Sequence, residues 1–157
     1  MSHARQICRR LHEEHLGTLD LWGKIEQACG ARTRPESELV ALLRRGAAEA
    51  ALELERHFAF EEAELFPRLA EAGEADIASL LEEEHGTIRD AARGFIELAR
   101  GIGEGEAPPP PLRRLALELA ERLFAHVQKE EMALLPLLDD LLDEATDESL
   151  VMIYSGN

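Results

Sequence analysis

A pattern of eleven residues occurs twice in this chain, and its repetition constrains the fold more than any other feature. His57 to Pro67 and His126 to Pro136 both read H-x-x-x-E-E-x-x-L-[FL]-P, and they stand 69 residues apart. A shorter shared pattern, Glu-Glu-His, ends at His15 and again at His85, 70 residues apart. The repetition predicts two equivalent halves, related by an internal two-fold pseudo-repeat, that build one chemical site.

The composition favours helix over strand. The 157 residues are 45% hydrophobic, mostly Leu and Ala, and only 4% aromatic, a balance that raises helix propensity and lowers strand propensity. A chain of this length can bury one continuous core. We therefore expect one all-α domain over residues 1–157, with a bundle at about 3–144 and a short tail at 145–157.

Apolar periodicity and glycine or proline stops predict four long helices. Apolar residues recur at spacings of three and four, and breaks fall at Gly30, at Gly73 and in the Gly/Pro-rich segment 101–111. The expected helices cover about 3–29, 35 or 37 to 72, 75–100 and 111–144. Short connections between long helices favour antiparallel neighbours, so the predicted architecture is an up-down-up-down antiparallel four-helix bundle.

Three local features stand apart from that regular picture. His15 lies 15 residues before Gly30, whereas the midpoint of His57 and Glu61 lies 24 residues after Pro35. If these residues meet at one height in the bundle, irregular or overhanging structure is expected within 31–45. Pro67 and Pro136 lie inside helices and should kink them. The apolar run at 150–154 either caps the bundle or contacts another subunit.

Helix geometry places the repeated residues on one face. Side chains four residues apart point the same way, so each repeated His lies beside the first Glu of its own motif. Buried carboxylates among imidazoles require a cation. If each Glu bridges, two metals each receive two His and two carboxylate oxygens, which leaves room for solvent and one small ligand. The predicted ligands are His15, His57, Glu61, His85, His126 and Glu130.

Imidazole and carboxylate ligands suit iron, with manganese or zinc as alternatives. The thiolates that softer metals prefer are absent from the part of the bundle where these ligands lie. His12 lies one turn before His15 and is expected at the rim of the site rather than as a ligand. Glu62 and Glu131 point about 100° away from the ligand Glu residues. They are expected to be surface charges, with support of the ligands as the alternative. His3 is expected in a frayed terminus.

The two Glu-His pairs, at 14–15 and 84–85, and the two longer motifs, at 57–67 and 126–136, alternate along the chain. In this order and spacing they resemble the hemerythrin-like (HHE cation-binding) family over about residues 5–142. The resemblance implies a non-haem di-iron site with four terminal His ligands. It also implies that Glu61, Glu130 and a solvent oxygen bridge two irons. Members bind or sense O₂ or NO, store or supply iron, or repair damaged iron–sulfur centres.

The chain departs from the oxygen-carrying members at Arg89, where those proteins have a second histidine on the third helix. They hold their metals with five histidines, whereas this chain offers four, and His12 is the one further candidate. We therefore expect binding or sensing of O₂ or NO rather than transport.

Two alternative functions stay open. One is iron handling or iron–sulfur repair, although the short cysteine-containing N-terminal domain common in those proteins is not expected here. The other is a di-iron peroxidase or oxidase acting on peroxide, with His12, Glu62 or Glu131 as its proton donor.

Charge and targeting signals narrow the partners. The formal charge of −15 repels nucleic acid and anionic membranes, so neither is expected as a partner. No stretch approaches the roughly 20 apolar residues of a membrane span, and the first residues lack the apolar core of a secretory signal. Cys8 and Cys29 lie about 30 Å apart on one predicted helix and cannot pair. Together these features predict a cytoplasmic protein.

Overall fold

All regular structure in the described residues, 3–30 and 36–156 of this computed structural model, is helical. The first, third and fifth helices are α1 (Gln6–Gly30), α3 (Ala75–Arg100) and α5 (Glu144–Gly156). Helix α2 runs over 36–71 through the segments Glu36–Glu49, Ala50–Leu54, Glu55–Phe60, Glu61–Leu65 and Phe66–Glu71. Helix α4 runs over 110–141 through Pro110–Lys129, Glu130–Leu134 and Leu135–Leu141. The Ala50–Leu54, Glu61–Leu65 and Glu130–Leu134 segments are π-helical turns.

The helix ends follow the chemistry of their residues. Gly73 adopts φ of +91°, a left-handed conformation that costs glycine nothing, and it ends α2 close to the predicted position. The N–H of Glu74 then donates to the carbonyl of Leu69 at 2.9 Å. Pro109 is extended and precedes the first turn of α4, where the missing N–H of Pro110 leaves no donor unpaired.

Two sequence expectations about boundaries change. Residues 36–45 are regular α-helix, so irregular structure does not fall there, and 31–35 lie outside the described residues. Helix α4 ends at Leu141 rather than near 144, because Leu142 is extended with φ −81° and ψ 137°.

The apolar interior forms two clusters with a polar level between them. The upper cluster contains Trp22, Leu43, Phe58, Phe95 and Leu119 among others, and the lower cluster contains Leu11, Phe66, Leu81, Leu138 and Leu150 among others. Each of the helices α1 to α4 contributes to both clusters. Helix α1 packs against α2 and α4, and α3 packs against the same two helices.

The segment expected to be a short tail is the helix α5, which packs on α1. Its buried Asp147 accepts hydrogen bonds from the N–H groups of Gln6 and Ile7, each at 2.9 Å. A carboxylate at a helix N-terminus satisfies free N–H groups and complements the helix dipole. The tail therefore caps the first helix of its own chain.

Across the described residues, none of the helices combines the length and the apolar character that a bilayer span requires.

Candidate metal centre

Six polar side chains from helices α1 to α4 meet at the level between the two apolar clusters. They are the six that the sequence predicted: His15, His57, Glu61, His85, His126 and Glu130. Each is at most 5% exposed, and both glutamates are fully buried. We call this set the cage.

The cage divides into two overlapping groups of donor atoms. His15 and His57 form one group with the two glutamates, and His85 and His126 form the other group with the same glutamates. Within each group the donor atoms all lie within 4.8 Å of one another.

Each glutamate directs one oxygen to each group. Glu130 places Oε1 at 2.7 Å from His15 Nε2 and Oε2 at 2.9 Å from His126 Nε2. Glu61 places Oε2 at 3.1 Å from His57 Nε2 and Oε1 at 3.1 Å from His85 Nε2. The two carboxylates thus connect the two groups.

The polar atoms at the centre of the cage fit a bound cation. Glu61 Oε1 and Glu130 Oε2 are buried, and neither has a partner in hydrogen-bond geometry within the described residues, although imidazole nitrogens are close. The Nε2 atoms of His85 and His126 approach to 3.1 Å. Buried carboxylate oxygens without donors are costly, and imidazole with carboxylate is a donor set that iron, manganese and zinc accept. The residues present therefore fit metal ions.

Without a metal, protons take the place of the cations. Burial lowers the pKa of His15, but its hydrogen bonds with Glu130 and Glu131 outweigh burial and raise that pKa to about 9. Burial is likewise outweighed at His85, where Glu130 and Glu61 raise the pKa to about 9. The pKa of Glu130 stays well below its usual range because His126 and its neighbours outweigh desolvation.

Four further carboxylates surround the cage, and each contacts the Nδ1 atom of one cage histidine. Each of them comes from a different helix than the histidine it contacts. The Nδ1-to-oxygen distances are 2.5 Å for His15 with Glu131, 3.0 Å for His57 with Glu14, 2.7 Å for His85 with Glu62 and 2.8 Å for His126 with Glu84. A carboxylate on Nδ1 fixes the tautomer and leaves Nε2 to face the cage centre. We call these four residues the carboxylate ring.

The expectation that Glu62 and Glu131 are surface charges is wrong, and the alternative that they support the ligands is the one the contacts favour. Both side chains are about three-quarters buried, with 23% and 25% exposure. Their position about 100° from the cage glutamates points them sideways, toward the neighbouring helix. His12 lies at the rim, as expected, with Nδ1 at 2.7 Å from Glu131 Oε1.

In both copies of the repeated motif, a wide π turn begins at the cage glutamate. The N–H of Phe66 donates to the carbonyl of Glu61, and the N–H of Leu135 donates to that of Glu130. A proline one residue later has no N–H and would clash with a carbonyl four residues back in a regular α-helix. The π turn accommodates Pro67 and Pro136 where the sequence predicted kinks, and such turns are frequent at functional sites.

Aromatic side chains cover one side of the cage. Phe58 stacks on His85 with ring centroids 3.7 Å apart and planes at 7°, and Phe66 contacts the same imidazole at 5.3 Å. Phe60 instead packs on Tyr154 of α5, at 4.5 Å. Phe58 and Phe66 therefore restrict water at the cage, whereas Phe60 belongs to the packing of the last helix.

Sequence reasoning assigned no role to three residues near the cage: Glu14, Glu84 and Tyr154. The hydroxyl of Tyr154 donates to Glu14, whose carboxylate also contacts His57. Burial raises the pKa of Glu14, but the hydrogen bonds with His57 and Tyr154 outweigh it and bring that pKa to about 2. The Glu-His pair repeated at 14–15 and 84–85 was the available signal for both glutamates.

The geometry agrees with a comparison against known protein families. Residues 6–138 match the family model described as the hemerythrin HHE cation binding domain, and the chain belongs to this family. It is therefore a helical protein of a family of cation-binding domains. Neither the curated proteins nor the solved structures include a significant match to it.

Proposed function

We propose that this protein holds two iron ions in the cage and binds or senses a small ligand such as O₂ or NO there. The observation that carries the iron pair is the sharing of Glu61 and Glu130 between two groups of donors. In this proposal His15 and His57 would hold one ion, His85 and His126 would hold the other, and each glutamate would contribute one oxygen to each ion. Manganese or zinc are the alternatives to iron.

The bound pair would supply a redox-active centre with a coordination position left for an external ligand. The chain itself contributes orientation, through the carboxylate ring on Nδ1, and a dry surrounding. Because the cage residues are at most 5% exposed, only a ligand of a few atoms can reach them without displacing a helix.

A groove that reaches Phe58 supports access by a small ligand. The groove has a volume of about 280 Å³. Its lining combines apolar residues, among them Leu54, Phe58 and Ile88, with the charged residues Glu55, Arg89, Arg93 and Arg100. Phe58 is also the residue that stacks on His85. In this proposal, a diatomic molecule would pass from the groove to the cage by a transient movement of this ring.

Arg89 supports sensing rather than transport. Its guanidinium contacts Glu62 at 2.6 Å and Glu55 at 2.9 Å, so it points away from the cage and stabilises the carboxylate ring instead. The oxygen-carrying members have a histidine ligand at this position. The present chain keeps two histidines in each donor group.

The proposed topology is an up-down-up-down antiparallel bundle with a two-fold pseudo-repeat. Its support is the order in which each helix enters the two apolar clusters. Helices α1 and α3 contribute to the lower cluster before the cage and to the upper cluster after it, and α2 and α4 show the reverse order. We also propose a cytoplasmic location, for which the free thiols of Cys8 and Cys29 are the support.

The proposed function has a direct test. Purified protein should carry close to two irons per chain, and the oxidised protein should show an oxo-bridged di-iron spectrum that shifts with azide. His57→Ala and Glu130→Ala should lose much of the iron, whereas Glu118→Gln, on the surface and paired with Arg122, should lose none. The reduced protein should change its spectrum reversibly with NO or O₂. Full metal content in both cage variants would contradict the proposal.

Iron handling is the second candidate, because an acidic groove also reaches the cage. It has a volume of about 390 Å³, and Glu14, Glu49, Glu53 and His57 line it. Carboxylates attract and guide cations. Rapid transfer of iron from the loaded protein to an apo-acceptor, slowed by Glu53→Gln, would favour this function. An inert iron pair would exclude it.

A further inference from the structure

A second cluster of metal-binding side chains lies outside the cage. His3, His12 and Glu131 bring three donor atoms within 4.8 Å of one another. The Nδ1 of His12 lies 2.7 Å from Oε1 of Glu131, and Nε2 of His3 lies 4.0 Å from the same oxygen. The two imidazole rings stand with their centroids 5.4 Å apart at an angle of 59°.

His3 is held in position for ligation. The expectation of a frayed terminus is wrong, since His3 is only 9% exposed. Its Nδ1 lies 3.2 Å from Asp139, which also accepts the N–H of Arg5 at 3.0 Å. Arg9 donates to the carbonyl of His3 at 2.9 Å. A carboxylate on one imidazole nitrogen directs the lone pair of the other nitrogen outward, which is the usual arrangement behind a metal ligand.

That second nitrogen has no hydrogen bond within the described residues, and it faces Glu131. A separation of 4.0 Å is too long for a hydrogen bond, and it exceeds by about 0.6 Å the roughly 3.4 Å between two tetrahedral ligands that each lie about 2.1 Å from an ion. A small rotation of either side chain would bring both atoms within reach of one ion. His12 is one-third exposed, so solvent reaches the cluster and can complete the coordination.

We propose that His3, His12 and Glu131 form an outer site for one divalent transition-metal cation of the zinc or cobalt class. Two imidazoles with one carboxylate and an open position suit such an ion, whereas calcium and magnesium prefer sites made of oxygen alone. Glu131 also holds His15 through its other oxygen, at 2.5 Å. The outer cation would thus be linked to a cage ligand through a single carboxylate. The outer site does not depend on the identity of the cage metal.

Cobalt is a suitable probe, because its visible spectrum reports coordination. Protein loaded with iron is dialysed against Co²⁺, and both metals are measured in the washed protein. We expect one further equivalent of Co²⁺ per chain with the absorption of a four- or five-coordinate ion. His12→Ala should weaken its binding by about tenfold or more, because one of three protein ligands is lost. Iron content should stay unchanged.

Two controls separate this proposal from the iron pair. Glu118→Gln, a surface carboxylate paired with Arg122, should bind Co²⁺ like the wild type. His57→Ala should lose cage metal but keep the outer equivalent, so the two proposals fail independently. The absence of a further equivalent in the wild type, or its full retention in a helical and folded His12→Ala protein, overturns the outer site.

Discussion

Nδ1 of His126 lies 2.8 Å from Oε1 of Glu84, a carboxylate that belongs to the neighbouring helix α3. Each of the other cage histidines has the same relationship with a residue of another helix. The orientation of each imidazole therefore depends on a helix other than its own. This dependence leads to specific expectations for variants.

Glu84→Gln should weaken metal binding by about 10- to 100-fold, because an amide is a poorer partner for the Nδ1–H of His126 than a carboxylate. The matched control is Glu83→Gln, an adjacent residue on the exposed side of α3. Competition with a graded series of chelators measures both affinities. Equal affinities of the two variants would show that the carboxylate ring does not tune the site.

The metal-free protein should lose stability as pH rises from about 6.5 to 9. The pKa values of His15 and His85 are raised to about 9, above the value of about 6.5 in an unfolded chain. The folded state thus binds more protons in this window. The stabilisation is complete below about pH 6.5 and disappears as pH passes about 9, with an upper value of about 3 kcal/mol for each histidine.

Urea unfolding of chelator-stripped protein at several pH values measures this trend. His85→Gln should reduce the pH dependence, since one of the cage histidines with a raised pKa is then absent. The free energy of unfolding of the metal-free protein could instead stay constant or increase between about pH 6.5 and 9. That result would contradict the idea that protons on the cage histidines replace the metal ions.

Tyr154→Phe should affect the metal less than Glu14→Gln does. The phenylalanine variant loses one donor to Glu14 but keeps the contact between Glu14 and His57, which is 3.0 Å long. We expect a loss of about 1–2 kcal/mol in the free energy of unfolding and a several-fold loss in metal affinity. Ser155→Ala on the same helix is the control. If Tyr154→Phe weakened the metal as much as Glu14→Gln, the role assigned to the carboxylate would be wrong.

Asp147→Ala should lower the free energy of unfolding by about 1–2 kcal/mol, because two N–H groups at the start of α1 lose their acceptor. Glu148→Ala, an exposed neighbour, should change it by less than about 0.5 kcal/mol. Chemical denaturation at neutral pH compares the two. A similar stability of both variants would mean that α5 does not cap α1 in solution.

The sequence was sufficient for the all-helical class and for which six residues meet in the cage. The spacing of His57 and Glu61 is a property of a single helix, so periodicity alone places both side chains on one face. The equal levels of His57, His85 and His126 follow from the rise per residue, whereas the level of His15 did not fit across the first connection. Both inferences need no knowledge of how helices pack sideways.

The carboxylate ring could not be predicted in the same way. Glu62 reaches His85 across the gap between α2 and α3, and the width of that gap depends on all the side chains packed along it. Helix α5 was likewise read as a tail, because its stability rests on tertiary contacts such as that of Asp147 rather than on its own periodicity. The prolines signalled a disturbance of the helix, but not its form as a π turn.

The carboxylate ring also bears on how such a chain could have arisen. Glu14 and Glu84 act within the pairs α1–α2 and α3–α4, whereas Glu62 and Glu131 act between those pairs. An ancestral peptide with only two helices could form one contact of the first kind within itself, but none of the second kind. It would close the ring only by associating with a second copy of itself, in a symmetric homodimer. Gene duplication and fusion would then turn an association between molecules into one within a single chain, and each half would become free to diverge.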